Sequence, residues 1–441
     1  MASTSLTRTP SSNGNQKTWT LSFWIKKCKN GGQPTILDAY YGNQSRYSSI
    51  YFTSSDTLDI FSGVYTTGSS TSYLYQYTTN RVFRDTNAWY HIVVSVDTTQ
   101  ATAGDRVKLY VNGVRETSFG TETQPTQNGD SFMNVTTSAM RMGVNGLDAV
   151  LSHVHYVDGT AYDASTFGST DSTTGEWQIN TSPSVTYGTN GFFIFKDNAS
   201  VTDQSGNSNN LTVSAGTLSN TEDCPSNVFC TFNPLIRPVN IFYAKGNTRI
   251  EIQSGNADQA GFGTIGMEKG QGKYYMEFKM INGTNAGFGI ADFKASGVID
   301  RVQKGENRYV GEYANSYSYY PGELYYNGSS TSSGFATFDT SNIIGMAVDM
   351  DNMKLYYHKD GVYQNSGNPS AGTGGYSIND PQNCYLPAVS INQNAACANW
   401  GNGTFDGTAI SSEGTNASGI GKFEYDVPTG FTALSTKGIN L

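Results

Sequence analysis

Two segments of the chain share one strand–turn–strand pattern, and this repeat limits what the chain can fold into. The first copy comprises His91–Asp97 and Lys108–Val114, and the second comprises Ile343–Asp349 and Lys354–Val362. Each copy has a strand ending in Val-Asp, a polar turn, a Lys-Leu-Tyr strand and an Asn-Gly or Asp-Gly pair. These turn residues accept the positive φ of tight hairpins, and the flanking apolar residues alternate with polar ones. The repeat therefore predicts two domains of related all-β architecture.

The composition also favours sheets over helices. The 441 residues include 49 Gly, 29 Tyr and 22 Phe, and only 14% of them are charged. Aromatic residues prefer strands, and a chain of this length can form two or three domains. The net charge of −9, from 27 basic and 36 acidic residues without a dense Lys/Arg run, excludes the basic footprint of a nucleic-acid-binding protein.

The N-terminus and the cysteines bear on where the protein works. No apolar segment typical of a signal peptide follows Met1, and no apolar run approaches the ~20 residues that span a bilayer, so we expect no membrane insertion. The cysteines are odd in number and scattered, which favours reduced thiols in a protein that folds in the cytoplasm: Cys28, Cys224, Cys230, Cys384 and Cys397. A bridge between Cys224 and Cys230 remains an open alternative.

Short strands separated by Ser, Gly and Asn turns occur at regular intervals in the first half of the chain. This spacing predicts a two-sheet antiparallel sandwich, with the odd-numbered residues of Trp19–Ile25 on one face. Trp19–Ile25, Trp89–Val93 and the hairpin Val107–Gly113 resemble, in this order, the laminin-G-like, concanavalin A-type family. We assign residues 1–18 to a polar N-terminal arm and residues 19–197 to this sandwich.

A Gly/Asn-rich string follows the first sandwich, and residues 198–240 are predicted to be a connector. The string includes Val157–Gly168, Thr174–Trp177, Tyr187–Phe193, Asp203–Thr212 and Asp223–Leu235. It resembles a connector in virion proteins of tailed bacteriophages, especially phages of marine bacteria, where it joins a laminin-G-like domain to a second sandwich. Within it, Asp203–Asn210 is either a Ca²⁺ loop or an Asx-rich turn.

Residues 241–441 are predicted to form the second sandwich. Four segments resemble the SPRY family in its usual order: Gly272–Phe278, Gly287–Ile290, Ile344–Asp349 and Leu386–Val389. The departures are mild, with Tyr275, Asp360 and Leu386 where that family usually has Trp, Asn and an aromatic residue. The predicted fold class is therefore all-β, with two antiparallel β-sandwich (jelly-roll, concanavalin A-like) domains joined by a Gly/Asn-rich connector.

Signatures of catalysis are absent from the sequence, and we expect no enzyme and no cofactor. No Gly-x-Ser-x-Gly elbow, Walker loop or dinucleotide fingerprint occurs. Glu277, Glu312 and Glu323 are isolated, whereas a glycosidase on this scaffold needs two carboxylates facing each other, one with a raised pKa. His153 and His155 share a strand face and could hold a metal, but no third ligand is near, so we expect packing and no metal site.

Tyrosine clusters are the candidate binding surface. Aromatic faces pack on the C–H surfaces of sugars, and the hydroxyl adds a hydrogen bond. The ligand-binding candidates are Tyr313, Tyr317, Tyr319, Tyr320, Tyr325 and Tyr326 in the second domain, and Tyr73, Tyr75 and Tyr77 in the first. The alternative is ordinary sheet packing, since alternating Tyr is also typical of a strand.

The phage resemblance implies a non-enzymatic virion surface protein, a tail fibre or appendage or a capsid decoration, that attaches to host-surface glycans. Its expected partners are other virion proteins, further copies of itself in a homo-oligomer, and a host glycan. Its expected location is the surface of the particle, after synthesis in the host cytoplasm. Two alternatives stay open: a purely structural decoration that binds only virion proteins, and a glycan-degrading enzyme.

Overall fold

The computed structural model describes residues 4–41, 46–65, 71–238, 240–252, 258–297 and 308–441. The chain forms two compact units, Met1–Leu218 and Ser219–Leu441. In the described ranges every regular element is a β-strand or a short 3₁₀ turn, and the all-β prediction is confirmed. None of these ranges contains a helix with the length and apolar character that a bilayer crossing requires.

The first unit contains sixteen strands and two 3₁₀ turns, Ala103–Asp105 and Ala164–Thr166. The strands are β1 Ser5–Arg8, β2 Thr18–Lys27, β3 Thr35–Tyr41, β4 Arg46–Phe52, β5 Thr57–Val64, β6 Ser72–Val82, β7 Trp89–Asp97, β8 Val107–Val111, β9 Val114–Arg115, β10 Phe119–Thr123, β11 Ser138–Val144, β12 Ala149–Asp158, β13 Gly168–Thr170, β14 Trp177–Ile179, β15 Phe192–Ile194 and β16 Thr212–Ala215.

Two antiparallel sheets enclose the core of the first unit. The larger has eight strands in the order β10-β6-β5-β4-β3-β11-β1-β16, and the smaller has six in the order β15-β12-β2-β7-β8-β9. Trp19, Leu21, Phe23 and Ile25 are buried together between the sheets, as the alternation of β2 predicts. The opposite side of the six-stranded sheet is also covered, since Val93 and Val157 pack with Ala164 and Phe167.

Part of the segment predicted to form an N-terminal arm, Ser5–Arg8, belongs to this sandwich. β1 pairs with β11 and with β16, so it lies inside the eight-stranded sheet. Leu6, the apolar residue of this polar segment, is buried with 3% of its surface exposed. One apolar side chain is too weak a pattern to predict a strand from sequence. The backbone hydrogen bonds to β11 and β16 define it instead.

The second unit contains seventeen strands and three 3₁₀ turns, Gln364–Ser366, Pro369–Ala371 and Gly438–Asn440, in its described residues. The strands are β17 Ile241–Ala244, β18 Arg249–Ile252, β19 Gln259–Phe262, β20 Lys273–Asn282, β21 Ala286–Asp292, β22 Ser316–Tyr320, β23 Glu323–Tyr326, β24 Ser329–Ser333, β25 Ile344–Asp349, β26 Lys354–Lys359, β27 Val362–Tyr363, β28 Tyr376–Ser377, β29 Tyr385–Ile391, β30 Ala395–Asn399, β31 Thr404–Phe405, β32 Thr408–Ala409 and β33 Thr432–Ala433.

The second unit is again a pair of sheets around an apolar core. One sheet follows the path β17-β18-β30-β20-β25-β26-β27, with β28 and β33 added beside β26 and β20. The other has the order β19-β29-β21-β22-β23-β24. Phe278, Phe288, Met346 and Trp400 are fully buried between them.

The repeated hairpin occurs in both units, as predicted. β7 pairs with β8, and β25 pairs with β26. The Asn-Gly turn joins β8 to β9, and the Asp-Gly turn joins β26 to β27. Both residues of each turn have positive φ, 47° and 80° at Asn112 and Gly113, and 49° and 82° at Asp360 and Gly361. Asn, Asp and Gly tolerate this backbone conformation, which is why the turns could be predicted from local sequence.

The predicted connector is divided between the two units. Its first part packs on the first unit, where β16 pairs with β1 and Leu211 is buried. Its last part belongs to the second unit, where Cys230 and Phe232 join the core. The unit boundary lies between Leu218 and Ser219, and residue 239 lies outside the described residues. None of the five cysteines, all of which the structure describes, is in a disulfide, so Cys224 and Cys230 do not form a bridge.

Candidate functional site

The outer side of the eight-stranded sheet carries a polar and aromatic surface. On β5, Leu58 and Ile60 point into the core, so Asp59 and Phe61 point outward. The pairing of β5 with β4 and β6 brings further outward side chains beside them. We define the outer face as Asp38, Tyr40, Tyr47, Tyr51, Asp59, Phe61, Tyr73, Gln76, Thr78 and Arg141.

Four aromatic rings form an enclosure on the outer face. The ring centroids of Tyr47, Tyr51 and Tyr73 lie 4.8, 6.0 and 5.5 Å from that of Phe61. The three tyrosine rings stand nearly perpendicular to Phe61, at 88°, 89° and 86°. Phe61 is buried, Tyr47 and Tyr51 are half-buried, and Tyr73 is 39% exposed. We call these four residues the aromatic enclosure.

Asp59 lies beside the aromatic enclosure, directly opposite Tyr51 across the strand pair. Its Oδ2 atom accepts hydrogen bonds from Gln76 Nε2 at 3.0 Å and from Thr78 Oγ1 at 2.5 Å. Its Oδ1 atom is buried and has no hydrogen-bond partner among the described residues. Burial raises the pKa of Asp59, and the bonds from Thr78 and Gln76 oppose that rise.

A second outward carboxylate, Asp38, is held by an arginine. Arg141 Nε and Nη2 lie 2.9 and 2.6 Å from the two oxygens of Asp38, a two-bond fork. The Arg141 guanidinium lies 4.3 Å from the centroid of the Tyr40 ring. The hydrogen bonds and charge of Asp38 raise the pKa of Arg141, so the guanidinium keeps its proton. This pair provides charged donors and acceptors with no net charge.

The two carboxylates do not form a glycosidase pair. Asp38 lies on β3 and Asp59 on β5, and β4 separates these strands. Two strand spacings place them about 10 Å apart across the sheet. Retaining glycosidases need roughly 5 Å between carboxyls, and inverting ones need roughly 6.5–9.5 Å. The outer face is suited to hydrogen bonding and ring contact.

The three tyrosines predicted as candidates in the first unit are separated by the sheet. Tyr75 and Tyr77 point into the core between the two sheets, so they are not part of the outer face. A register shift between β5 and β6 leaves Tyr73 opposite Gly63 and on the outer face. The sequence analysis did not identify Asp59 and Phe61 as candidates. The alternation of Thr57–Phe61 could have placed both on the face of the strand that points away from Leu58 and Ile60.

The second-unit tyrosines divide in the same way. Tyr317 and Tyr319 point into the core, with 6% and 0% exposed. Tyr326 packs against that core, and its ring stacks on Tyr317 at 4.5 Å. Tyr313 is also buried, at 2% exposed, and packs 6.0 Å from Phe262. Tyr313, Tyr317 and Tyr319 are therefore too buried to present a binding surface, whereas Tyr326 is half-buried.

Tyr320 and Tyr325 lie on the other face of β22 and β23. With Tyr309 they form a trio in which every pair meets edge to face, at 5.4 to 5.7 Å between ring centroids. Tyr320 is only 8% exposed, and Tyr325 is half-buried. In the second unit, therefore, Tyr325 is the most accessible of the candidate tyrosines on this face.

The possible metal sites of the first unit are filled by protein contacts. The His155 ring stacks on Phe193 at 4.0 Å, and its Nδ1 atom lies 2.7 Å from the Tyr187 hydroxyl. Both carboxylate oxygens of Asp203 accept bonds from neighbouring backbone N–H groups, including that of Asn209 at 2.8 Å. This is the Asx-rich turn. No group of three His, Cys, Asp or Glu residues that could hold a metal occurs in the described ranges.

Glu277 of the second unit is fully buried in a network that the sequence did not reveal. Its two oxygens accept bonds from the backbone N–H of Glu424 and Tyr425 at 2.9 and 2.8 Å, and from Asn399 and Tyr275 at 3.1 Å. Burial raises the pKa of Glu277 to about 7, against these bonds. The carboxyl anchors the C-terminal segment to the sheet.

A cavity of about 590 Å³ also lies in the second unit, lined in part by Lys273, Asp351 and Phe431. The Lys273 ammonium is 2.9 Å from the Asp349 carboxylate, so its charge is already neutralised. Phe431 is 2% exposed and offers little ring surface. The outer face of the first unit therefore remains the candidate site.

The comparisons with known proteins agree with this fold. Residues 2–161 match the family model described as the concanavalin A-like lectin/glucanases superfamily. The matched region is thus similar to concanavalin A-like, laminin-G-like domains, and its fold is compatible with carbohydrate binding. No curated protein matches the chain.

Three solved structures illustrate the structural similarity. The SPRY domain of human HERC1 shares 14% identity over 38% of this chain and 96% of its own, with a TM-score of 0.27. Mouse laminin alpha1 domains LG4-5 share 9% identity over 98% of this chain and 86% of their own, with a TM-score of 0.27. Domain 4 of the Geobacillus stearothermophilus arabinanase AbnA, in complex with arabinotriose, shares 19% identity over 34% and 64%, with a TM-score of 0.24. At these scores the similarities assign no function to this chain.

Proposed function

We propose that the protein is a non-enzymatic, carbohydrate-binding surface component of a tailed-bacteriophage virion, and that the outer face of its first unit contacts the glycan. The aromatic enclosure beside Asp59 and the Asp38–Arg141 pair is the observation that supports this most directly. Aromatic rings pack against sugar C–H groups, and fixed polar groups bond the hydroxyls. The family match of residues 2–161 supports the same reading.

The placement in a virion rests on the sequence resemblance of the segments between Val157 and Leu235 to phage virion connectors. In that setting the protein would assemble as a homo-oligomer with other virion proteins, on the outside of a tail fibre, an appendage or a capsid. Many identical copies would then add weak individual contacts into stable attachment to a host surface.

A glycan array with the purified full chain tests the binding function. Tyr73→Ala removes the exposed wall of the aromatic enclosure and should reduce array binding by up to about tenfold, since ring contacts contribute roughly 0.5–1.5 kcal/mol. Tyr325→Ala is the matched variant, a partly exposed tyrosine in the second unit. It should bind as the unaltered chain does.

The two variants also locate the site. Loss of binding only in Tyr325→Ala would move the glycan site to the tyrosine trio of the second unit. If the folded, assembled protein binds no glycan at all, the carbohydrate function is wrong and the purely structural virion role replaces it. Release of new reducing ends from a bound oligosaccharide would instead identify an enzyme.

A further inference from the structure

We propose that the aromatic enclosure and Asp59 select a ligand that carries a positively charged amine, such as the free amino group of an amino sugar. This inference rests on the proposed function, because it names the class of ligand that the outer face takes. It depends on three observations: the charge of the outer face, the arrangement of the rings, and the unpartnered oxygen of Asp59.

The first observation is the charge of the outer face. Asp38 and Arg141 form a forked pair and cancel each other. Asp59 has no basic partner within 4.0 Å among the described residues, although it is only 2% exposed. A buried carboxylate without a counter-ion is costly, so a cation that arrives beside it gains more than it would at an exposed carboxylate.

The second observation is the arrangement of the rings. Tyr47, Tyr51 and Tyr73 surround Phe61 at nearly right angles, so the four rings do not present one flat platform. A sugar can contact one of the partly exposed rings, Tyr47, Tyr51 or Tyr73, and an ammonium group that it carries is attracted to any ring face within ≈ 6 Å. A charged amine therefore adds a cation–π attraction to the ring contact of the sugar.

The third observation is the free acceptor. Gln76 and Thr78 occupy Oδ2 of Asp59, while Oδ1 receives no hydrogen bond from any residue that the structure describes. An ammonium N–H can donate to this oxygen, and a neutral acetamide in its place would supply no charge. A quaternary ammonium group would neutralise Asp59 but could not donate. The same chemistry therefore has two sources, an amino sugar and a choline-type headgroup.

The experiment compares glucosamine oligosaccharides with N-acetylglucosamine oligosaccharides of equal length, titrated into the full chain by calorimetry at a pH just below neutral, so that Asp59 keeps its charge and the first unit stays folded. The two ligands differ in the charge of the amine, and we expect the free-amine form to bind about tenfold more tightly. Choline chloride, added as a competitor, distinguishes the sources. If choline binds more tightly than the amine oligosaccharide, the natural ligand carries a quaternary headgroup.

Two variants connect the preference to the site. Asp59→Asn keeps the size of the side chain but removes its charge, and it should abolish the preference for the free amine. Asp130→Asn, at a carboxylate 58% exposed and 3.9 Å from Lys17, is the matched control and should keep it. Tyr73→Leu, at an exposed position, provides a second test if Asp59→Asn unfolds. It should weaken the free-amine ligand more than the acetylated one.

The outcomes separate this inference from the proposed function. Equal affinity for the free-amine and acetylated oligosaccharides, or an unchanged preference in Asp59→Asn, overturns the amine selectivity and leaves glycan binding in place. A chain that binds neither oligosaccharide, nor choline, nor any glycan on the array contradicts both.

Discussion

Asp59 and Glu277 are both buried, and burial raises the pKa of each carboxyl, with different consequences. Glu277 accepts four hydrogen bonds, which offset part of the free-energy cost of burying it and hold the C-terminal segment against the sheet. Asp59 accepts two, both on one oxygen, beside an accessible tyrosine. A carboxylate whose two oxygens both receive hydrogen bonds from the fold anchors a segment. A carboxylate with one oxygen left without a donor can accept a hydrogen bond from a ligand.

The anchoring role of Glu277 gives a pH-dependent prediction. Because burial raises its pKa from 4.5 to about 7, the folded state holds this proton more tightly than the unfolded state. The contribution of Glu277 to the free energy of unfolding therefore falls as pH rises from 4.5 to about 7, by about 3 kcal/mol in total. Urea titrations over this range should show that decrease in the unaltered chain and a flatter profile in Glu277→Gln.

Glu312→Gln is the control for that experiment. Glu312 is 31% exposed and 3.1 Å from Arg308. Its replacement should leave the pH profile as it is in the unaltered chain. Identical profiles for the unaltered chain and Glu277→Gln would show that this carboxyl does not titrate with folding.

At the scale of elements, strand β1 makes Ser5–Arg8 part of the sheet, where the sequence predicted a polar arm. Leu6 is buried among core residues, opposite Met142 on β11. Leu6→Ala should lower the free energy of unfolding of the first unit by about 2–4 kcal/mol, because it leaves a cavity in the core. Tryptophan fluorescence during denaturation in urea measures this change.

The matched control lies in the same unit at an exposed position. Val114 is 65% exposed, so Val114→Ala should change stability by no more than about 0.5 kcal/mol. A Leu6→Ala variant as stable as Val114→Ala would indicate that β1 detaches from the sheet at little cost.

The strands also show which parts of the structure could be predicted. The turns from β8 to β9 and from β26 to β27 each depend on two adjacent residues, so local sequence was sufficient to predict them. The face of each tyrosine was not predictable, because Tyr317-Ser-Tyr-Tyr320 breaks the alternation and leaves two registers open. The outer face joins residues of β3, β4, β5, β6 and β11, and only strand pairing brings them together.

At the scale of the whole molecule, the two units differ in how they respond to acid. The first unit contains three buried histidines: burial lowers the pKa of His91 to about 3 and of His153 to about 4, and holds that of His155 well below its usual value. Each contributes stability that is lost as pH falls from about 6.5. In the second unit His358 acts in the same direction, while Glu277 opposes it, as the raised pKa values of Asp38 and Asp59 do in the first unit.

Acidification from about pH 7 to about pH 5 should therefore open the first unit more than the second. Hydrogen exchange of the full chain, followed by mass spectrometry at both pH values and corrected for intrinsic rates, measures each unit separately. Backbone protection should fall more in peptides from residues 4–218 than in peptides from residues 219–441. An equal or larger loss in the second unit would contradict this assignment of the titrating groups.

The alternation of β4 and β5 has a consequence for how such a protein changes over generations. Ile50 and Ile60 belong to the core, while Tyr51, Asp59 and Phe61, their neighbours in sequence, belong to the outer face. If the outer face binds glycan as proposed, replacements at the second set would change which glycan is bound, while Ile50 and Ile60 keep the sheets packed. A lineage could then exchange one binding partner for another on an unchanged scaffold.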